Sequence, residues 1–126
     1  MDFIYIESSG QLHAREAYMV KSKQIGDQLI VYLNEEIDHC SAERLRKEIE
    51  LLIKDSGACK LIMDFSSVNF MDSSGIGMII GRYKTMCLRG GSLTVYGLHP
   101  PVDQLFQMAG LHRIIKEETT EGQVIA

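Results

Sequence analysis

Leu61-Ile62-Met63-Asp64-Phe65, followed by Met71-Asp72-Ser73-Ser74-Gly75-Ile76-Gly77, decides the fold. The first stretch is a short apolar run without alternation, which reads as a strand covered on both faces. The second is a polar cluster that opens a helical pattern, with Ile76, Ile79, Ile80 and Tyr83 at i, i+3, i+4 and i+7. Asp72, Ser73 and Ser74 therefore stand where a helix begins, beside unpaired backbone N–H groups and the positive end of the macrodipole. A hydroxyl placed there accepts a phosphate at little cost to the fold.

The same alternation extends in both directions. Leu29-Ile30-Val31-Tyr32-Leu33 reads as a strand rich in branched and aromatic residues. Asp38 then caps a helix running to about Lys54, with Ala42, Leu45, Ile49, Leu52 and Ile53 on one face and Gly57 as its stop. Glu43–Lys47 and Glu50–Lys54 are i,i+4 pairs in the favourable order. The 73-onward helix ends near Leu88, before Gly90-Gly91, and Leu93-Thr94-Val95-Tyr96 is the next strand. Pro101 suits the first turn of a third helix with the stripe Val102, Leu105, Phe106 and Ala109, stopped by Gly110. Ile114-Ile115 is expected to be extended, and Glu117–Glu121 to fray or form a final helical turn.

Strands alternating with helices predict a single small α/β domain, a mostly parallel or mixed sheet with helices packed against it. Asp38 and Ser73 each follow a strand at the entrance to a helix. In such sheets both entrances lie beyond the carboxyl ends of the strands, so the two polar clusters are expected to form one surface. Residues 1–18 read as an N-terminal extension, either a strand around Phe3-Ile4-Tyr5-Ile6 or a segment upstream of a natural start at Met19. The domain proper is placed at 19–126.

Composition narrows the function. The chain has 126 residues, room for one modest core, and a net charge of −4, which argues against nucleic acid or an anionic membrane as partner. Cys40, Cys59 and Cys87 are odd in number and widely spaced, which predicts free, mostly buried thiols in a reducing cytosol. There is no apolar run of about 18 residues to span a bilayer, and the N-terminus does not resemble a secretory signal.

Catalytic readings fare poorly. A hydrolase elbow needs G-x-S-x-G, and neither Ser73 nor Ser74 has the leading glycine. Gly75-Ile76-Gly77-Met78-Ile79-Ile80-Gly81 imitates a dinucleotide fingerprint but follows its strand too late and lacks the acidic residue further on. Gly77 and Gly81 are instead expected to allow close packing of helix on sheet. Asp38 and Asp72 read as solvated caps, and His39 and Cys40 lack further metal ligands at usable spacing. Met71 is expected to be an exposed apolar residue or a core one. The two serines can cap their helix, but Asp72 can do so equally well, which leaves a hydroxyl free.

Glu36-Ile37-Asp38-His39-Cys40-Ser41-Ala42, the Met71–Gly77 stretch and Gly81-Arg82-Tyr83-Lys84 together resemble the STAS-domain anti-sigma factor antagonists, over about residues 20–118. Gln107-Met108-Ala109-Gly110-Leu111 is similar to that family's last turn. The Gly-Arg-Tyr-Lys continuation leans toward the sporulation branch over the general-stress branch. The resemblance implies that Ser73 is phosphorylated by an anti-sigma factor that is itself a serine kinase. Unphosphorylated antagonist binds that kinase and frees the sigma factor, and a phosphatase restores the active form. Asp38 matches the family's acidic partner-facing residue, and His39, Met71, Asp72, Ser74 and Gly75 complete the expected docking set. Cys40 departs from the pattern, standing where close relatives often carry histidine. A cytoplasmic regulator is expected, not an enzyme, with no cofactor, metal, nucleic acid or membrane. The alternatives are a general-stress or orphan antagonist with another kinase, and a weak nucleotide-binding or hydrolysing domain.

Overall fold

The computed structural model describes residues 4–6, 12–14 and 20–119. Strands β1 (Ile4–Ile6) and β2 (Leu12–Ala14) pair antiparallel, Tyr5 opposite His13. Phe3 of the expected N-terminal strand, the proposed start Met19 and the end of the acidic Glu117–Glu121 stretch lie outside the described residues.

The main sheet has five strands in the order β3-β4-β5-β6-β7. β3 (Lys21–Ile25) and β4 (Gln28–Tyr32) form an antiparallel hairpin turned at Gly26, whose φ of 57° suits the first centre of a two-residue loop. From β4 onward every pairing is parallel, through β5 (Lys60–Asp64), β6 (Ser92–Tyr96) and β7 (Lys116–Glu118). The crossovers are α1 (His39–Ser56), α2 (Ser73–Leu88) and α3 (Pro100–Met108), the last followed by a 3₁₀ turn at Leu111–Arg113. Three right-handed crossovers stepping the same way place their helices on one face of the sheet. One core accordingly joins Leu29, Val31, Leu61, Met63, Leu93 and Val95 of the strands to Leu45, Ile49, Ile79, Val102 and Phe106 of the helices. Ile30 and Ile62, with side chains on the opposite face, are also buried, so β4 and β5 are covered on both sides.

The expected mixed α/β domain is the fold observed, with local corrections. β3 is not expected from the sequence because Lys21, Ser22, Lys23 and Gln24 are all exposed, so no apolar alternation marks it. The final strand is Lys116–Glu118, not a frayed helical turn. Parallel pairing of Glu117 with Val95 outweighs its acidic composition. Ile114 is the cap of the 3₁₀ turn, and Ala109 is exposed at the end of α3. None of the three cysteines is buried: Cys40 and Cys87 are exposed and Cys59 is half-buried. Glu43–Lys47 approaches to 3.9 Å. Glu50, however, turns from the expected Lys54 to α2, where it lies 2.7 Å from Nε of buried Arg82 and accepts the Thr85 hydroxyl at 2.6 Å. Burial there lowers the Arg82 pKa, and the Glu50 carboxylate opposes that shift.

Gly77 and Gly81 do not serve close packing, since a Cβ at either would meet open space. The tight glycines are others. At Gly91 a Cβ would overlap the carbonyl oxygen of Cys59, which accepts the Ser92 N–H at 2.9 Å. Gly91→Ala should therefore destabilise the fold by about 2–3 kcal/mol, because backbone must shift. Gly77→Ala should stabilise it by about 0.5–1 kcal/mol through helix propensity. Urea denaturation of the two variants checks both signs.

Candidate functional site

The surface at the carboxyl ends of the strands is built by a single backbone bridge. Ile37 pairs with Met71 in parallel register: the Ile37 N–H donates to Phe70 O, and the Asp72 N–H donates to Ile37 O, each at 3.0 Å. Both side chains are buried, Ile37 fully and Met71 to 6% exposure. The residues that follow, Asp38 and Asp72, are thereby held side by side. Each is the N-cap of its helix.

Asp38 closes a capping box on α1. Its carboxylate accepts the Ser41 N–H at 3.0 Å, and the Ser41 hydroxyl accepts the Asp38 N–H at 2.9 Å. The Ser41 backbone N–H, and then its hydroxyl, hold the Asp38 pKa below the ordinary carboxylate value. A lowered carboxylate pKa means the cap is fully in place above about pH 4 and is lost as pH falls through the lowered value. Asp72 caps α2 by accepting the Ser74 N–H at 2.8 Å. That bond leaves the Ser73 hydroxyl unused. Ser73 is exposed at the first position of α2 and makes no side-chain hydrogen bond among the described residues.

The sequence-derived site residues divide into two groups. Asp38, His39, Asp72, Ser73 and Ser74 come together at this surface. Met71 and Gly75 do not reach it. Met71 is not the exposed apolar residue entertained above, because the bridge turns its side chain into the core. Gly75 is buried against it, where a Cβ would overlap the Met71 side chain and stand 3.0 Å from Ile37 Cγ2. The tight glycine of this motif is thus Gly75, which makes room for Met71.

Two features escape sequence reading. Phe70 alternates with buried Met71 and is 48% exposed, a large aromatic beside the two caps. Its orientation follows from the Ile37–Met71 pairing, which no local pattern announces. Between α1 and α2 runs an open groove of about 270 Å³, lined by His39, Ala42, Arg46, Ser74 and Gly77. Arg46 is held at its rim by Glu43 at 2.7 Å. Among the described residues no helix is long and apolar enough to cross a membrane.

Comparison with known proteins places this arrangement. The STAS domain model matches residues 19–124. The anti-sigma F factor antagonist of Paenibacillus polymyxa is 37% identical over 87 residues, 69% of this chain and 74% of that protein. The anti-sigma-B factor antagonist of Listeria monocytogenes is 30% identical over 98 residues, 78% of this chain and 85% of that one. The structure of the anti-sigma factor antagonist SpoIIAA in its unphosphorylated form superposes with a TM-score of 0.72 at 26% identity, covering 83% of this chain and 92% of that chain. The phosphorylated form of Bacillus SpoIIAA gives 0.66 at 25% identity, covering 83% and 96%. With these likenesses added to the fold and its paired helix caps, the chain belongs to the STAS domain family, among the anti-sigma factor antagonists.

Proposed function

We propose that this protein is a phosphorylation-switched antagonist that binds an anti-sigma factor kinase in the cytoplasm and so releases a sigma factor. The observation that carries the reading is the Ser73 hydroxyl, exposed and unbonded at the start of α2 while Asp72 does the capping. Ser73 is the phosphate acceptor. Asp38, His39, Asp72, Ser74 and the exposed Phe70 form the docking surface, and a phosphatase returns Ser73 to its free state. That the similar SpoIIAA exists in unphosphorylated and phosphorylated forms supports this assignment.

The switch follows from local electrostatics. A phosphate on Ser73 adds about −1.5 to −2 charges beside the carboxylates of Asp38 and Asp72. Ser73 is exposed and its hydroxyl takes no part in the cap, so the fold accommodates the phosphate and its cost falls on the interface. An unpaired charge buried at a contact costs about 2–5 kcal/mol, or roughly 30-fold to several-thousand-fold in affinity. No global rearrangement is required.

The chain is then a kinase substrate and not an enzyme. Its strand order never reverses, so the sheet has no topological switch point at which a nucleotide crevice would open. Sporulation is the favoured pathway, given the 37% identity to an anti-sigma F factor antagonist. A general-stress role with a different kinase is the second reading, favoured by the longer match to the Listeria anti-sigma-B factor antagonist.

Incubation with ATP and the host's candidate kinases, followed by intact-mass analysis, should add a single phosphate that maps to Ser73. Ser73→Ala should stay bound to the kinase and Ser73→Asp should bind poorly; equal affinity of the two would remove the switch. Phe70→Ala should weaken binding of the unphosphorylated form by roughly 30-fold, the effect of losing an aromatic anchor of about 2 kcal/mol. In amide NMR spectra, phosphorylation should move signals near Ser73 and leave distant ones in place.

A further inference from the structure

We propose that Asp103, His112 and Glu117 form a binding site for a divalent transition metal of the zinc type, at the junction of α3, the 3₁₀ turn and β7. The site shares no residue with the switch surface and is independent of the function proposed for it. Three elements supply one ligand each, and the ligand atoms lie within 4.8 Å of one another. His112 Nε2 is already 2.9 Å from Asp103 Oδ1. Tetrahedral zinc bonds of about 2.0–2.2 Å put neighbouring ligand atoms about 3.3–3.6 Å apart, a spacing that lies between those two distances.

Each ligand is also oriented from behind. Gln107 Nε2 donates to Asp103 Oδ2 at 2.9 Å, which leaves Oδ1 turned toward His112. The Leu98 N–H donates to Glu117 Oε2 at 3.3 Å and leaves the other carboxylate oxygen free. The His112 ring stands edge-on to fully buried Phe106, centroids 5.2 Å apart, so its plane is set by the core. Outer contacts of this kind fix ligand direction in metal sites. One imidazole and two carboxylates suit zinc-like ions over magnesium or calcium, which call for six or more oxygens, and water completes the fourth position.

Loading exchanges one bond for others without redox change. His112 Nε2 gives up its hydrogen bond to Asp103 Oδ1, the ring binding as neutral imidazole with its one proton on Nδ1, and Nε2 and Oδ1 then each donate a lone pair to the cation. The metal would fasten the three-residue edge strand β7 to α3 and to the loop carrying Leu98. The spacing 103, 112, 117 matches no ligand motif, which is why the sequence alone leads to the expectation of no metal.

Titration of the full, tag-free chain with zinc, by calorimetry and thermal denaturation, tests this. The parent should bind one zinc and melt at a higher temperature with it, while magnesium has no effect. His112→Gln and Glu117→Gln, each first shown by metal-free melting to be folded, should bind zinc at least about tenfold more weakly. Absence of zinc binding by the parent overturns the proposal. So does equal binding by both variants, which would assign the metal to the free thiols, and so does an equal response to magnesium.

Discussion

Two backbone hydrogen bonds, between Ile37 and the Phe70–Asp72 segment, hold the rest of the candidate surface in register. They extend the parallel pairing of β4 and β5 beyond the strands proper, across two loops that would otherwise splay. Everything at that end follows from them. Asp38 and Asp72 are neighbours because Ile37 and Met71 are paired, and Ser73 is presented outward because Asp72 is committed to the Ser74 N–H. The bridge in turn depends on burying Met71, and that burial depends on Gly75 having no side chain. Asp-Ser-Ser-Gly is therefore a mechanical unit as well as a chemical one.

The three helices and strands β4, β5 and β6 were legible because their signals are local. Apolar spacing, Asp38 and Asp72 before helical patterns, and Gly57 and Gly110 after them all mark elements within a few residues. β3 and β7 were not legible, since short polar edge strands owe their conformation to a neighbour and not to their own residues. The site divides along the same line. Which residues cap which helix can be read from the chain, and the carboxyl-end rule brings Asp38 to Asp72. Which of Phe70 and Met71 points outward depends on pairing across the bridge, so the exposed aromatic was missed. The glycines show the same limit: Gly77 and Gly81 looked like packing residues by spacing, yet contact geometry gives that role to Gly75 and Gly91.

Capping falls to Asp72 and the free hydroxyl to the adjacent Ser73, so under the proposed switch one motif carries both tasks. Had a serine capped α2, modifying it would have disturbed the helix start. With Asp72 in that position, the cap does not use the neighbouring hydroxyl. Glu50, joining Arg82 and Thr85, ties the later turns of α1 and α2 together.

The outer strand β3 carries lysines at 21 and 23 along an edge that is unpaired among the described residues. Bringing a second molecule alongside would oppose like charges and strip water from ammonium groups. That edge is thereby a poor template for pairing with its own copy, a guard built from charge and not from shape.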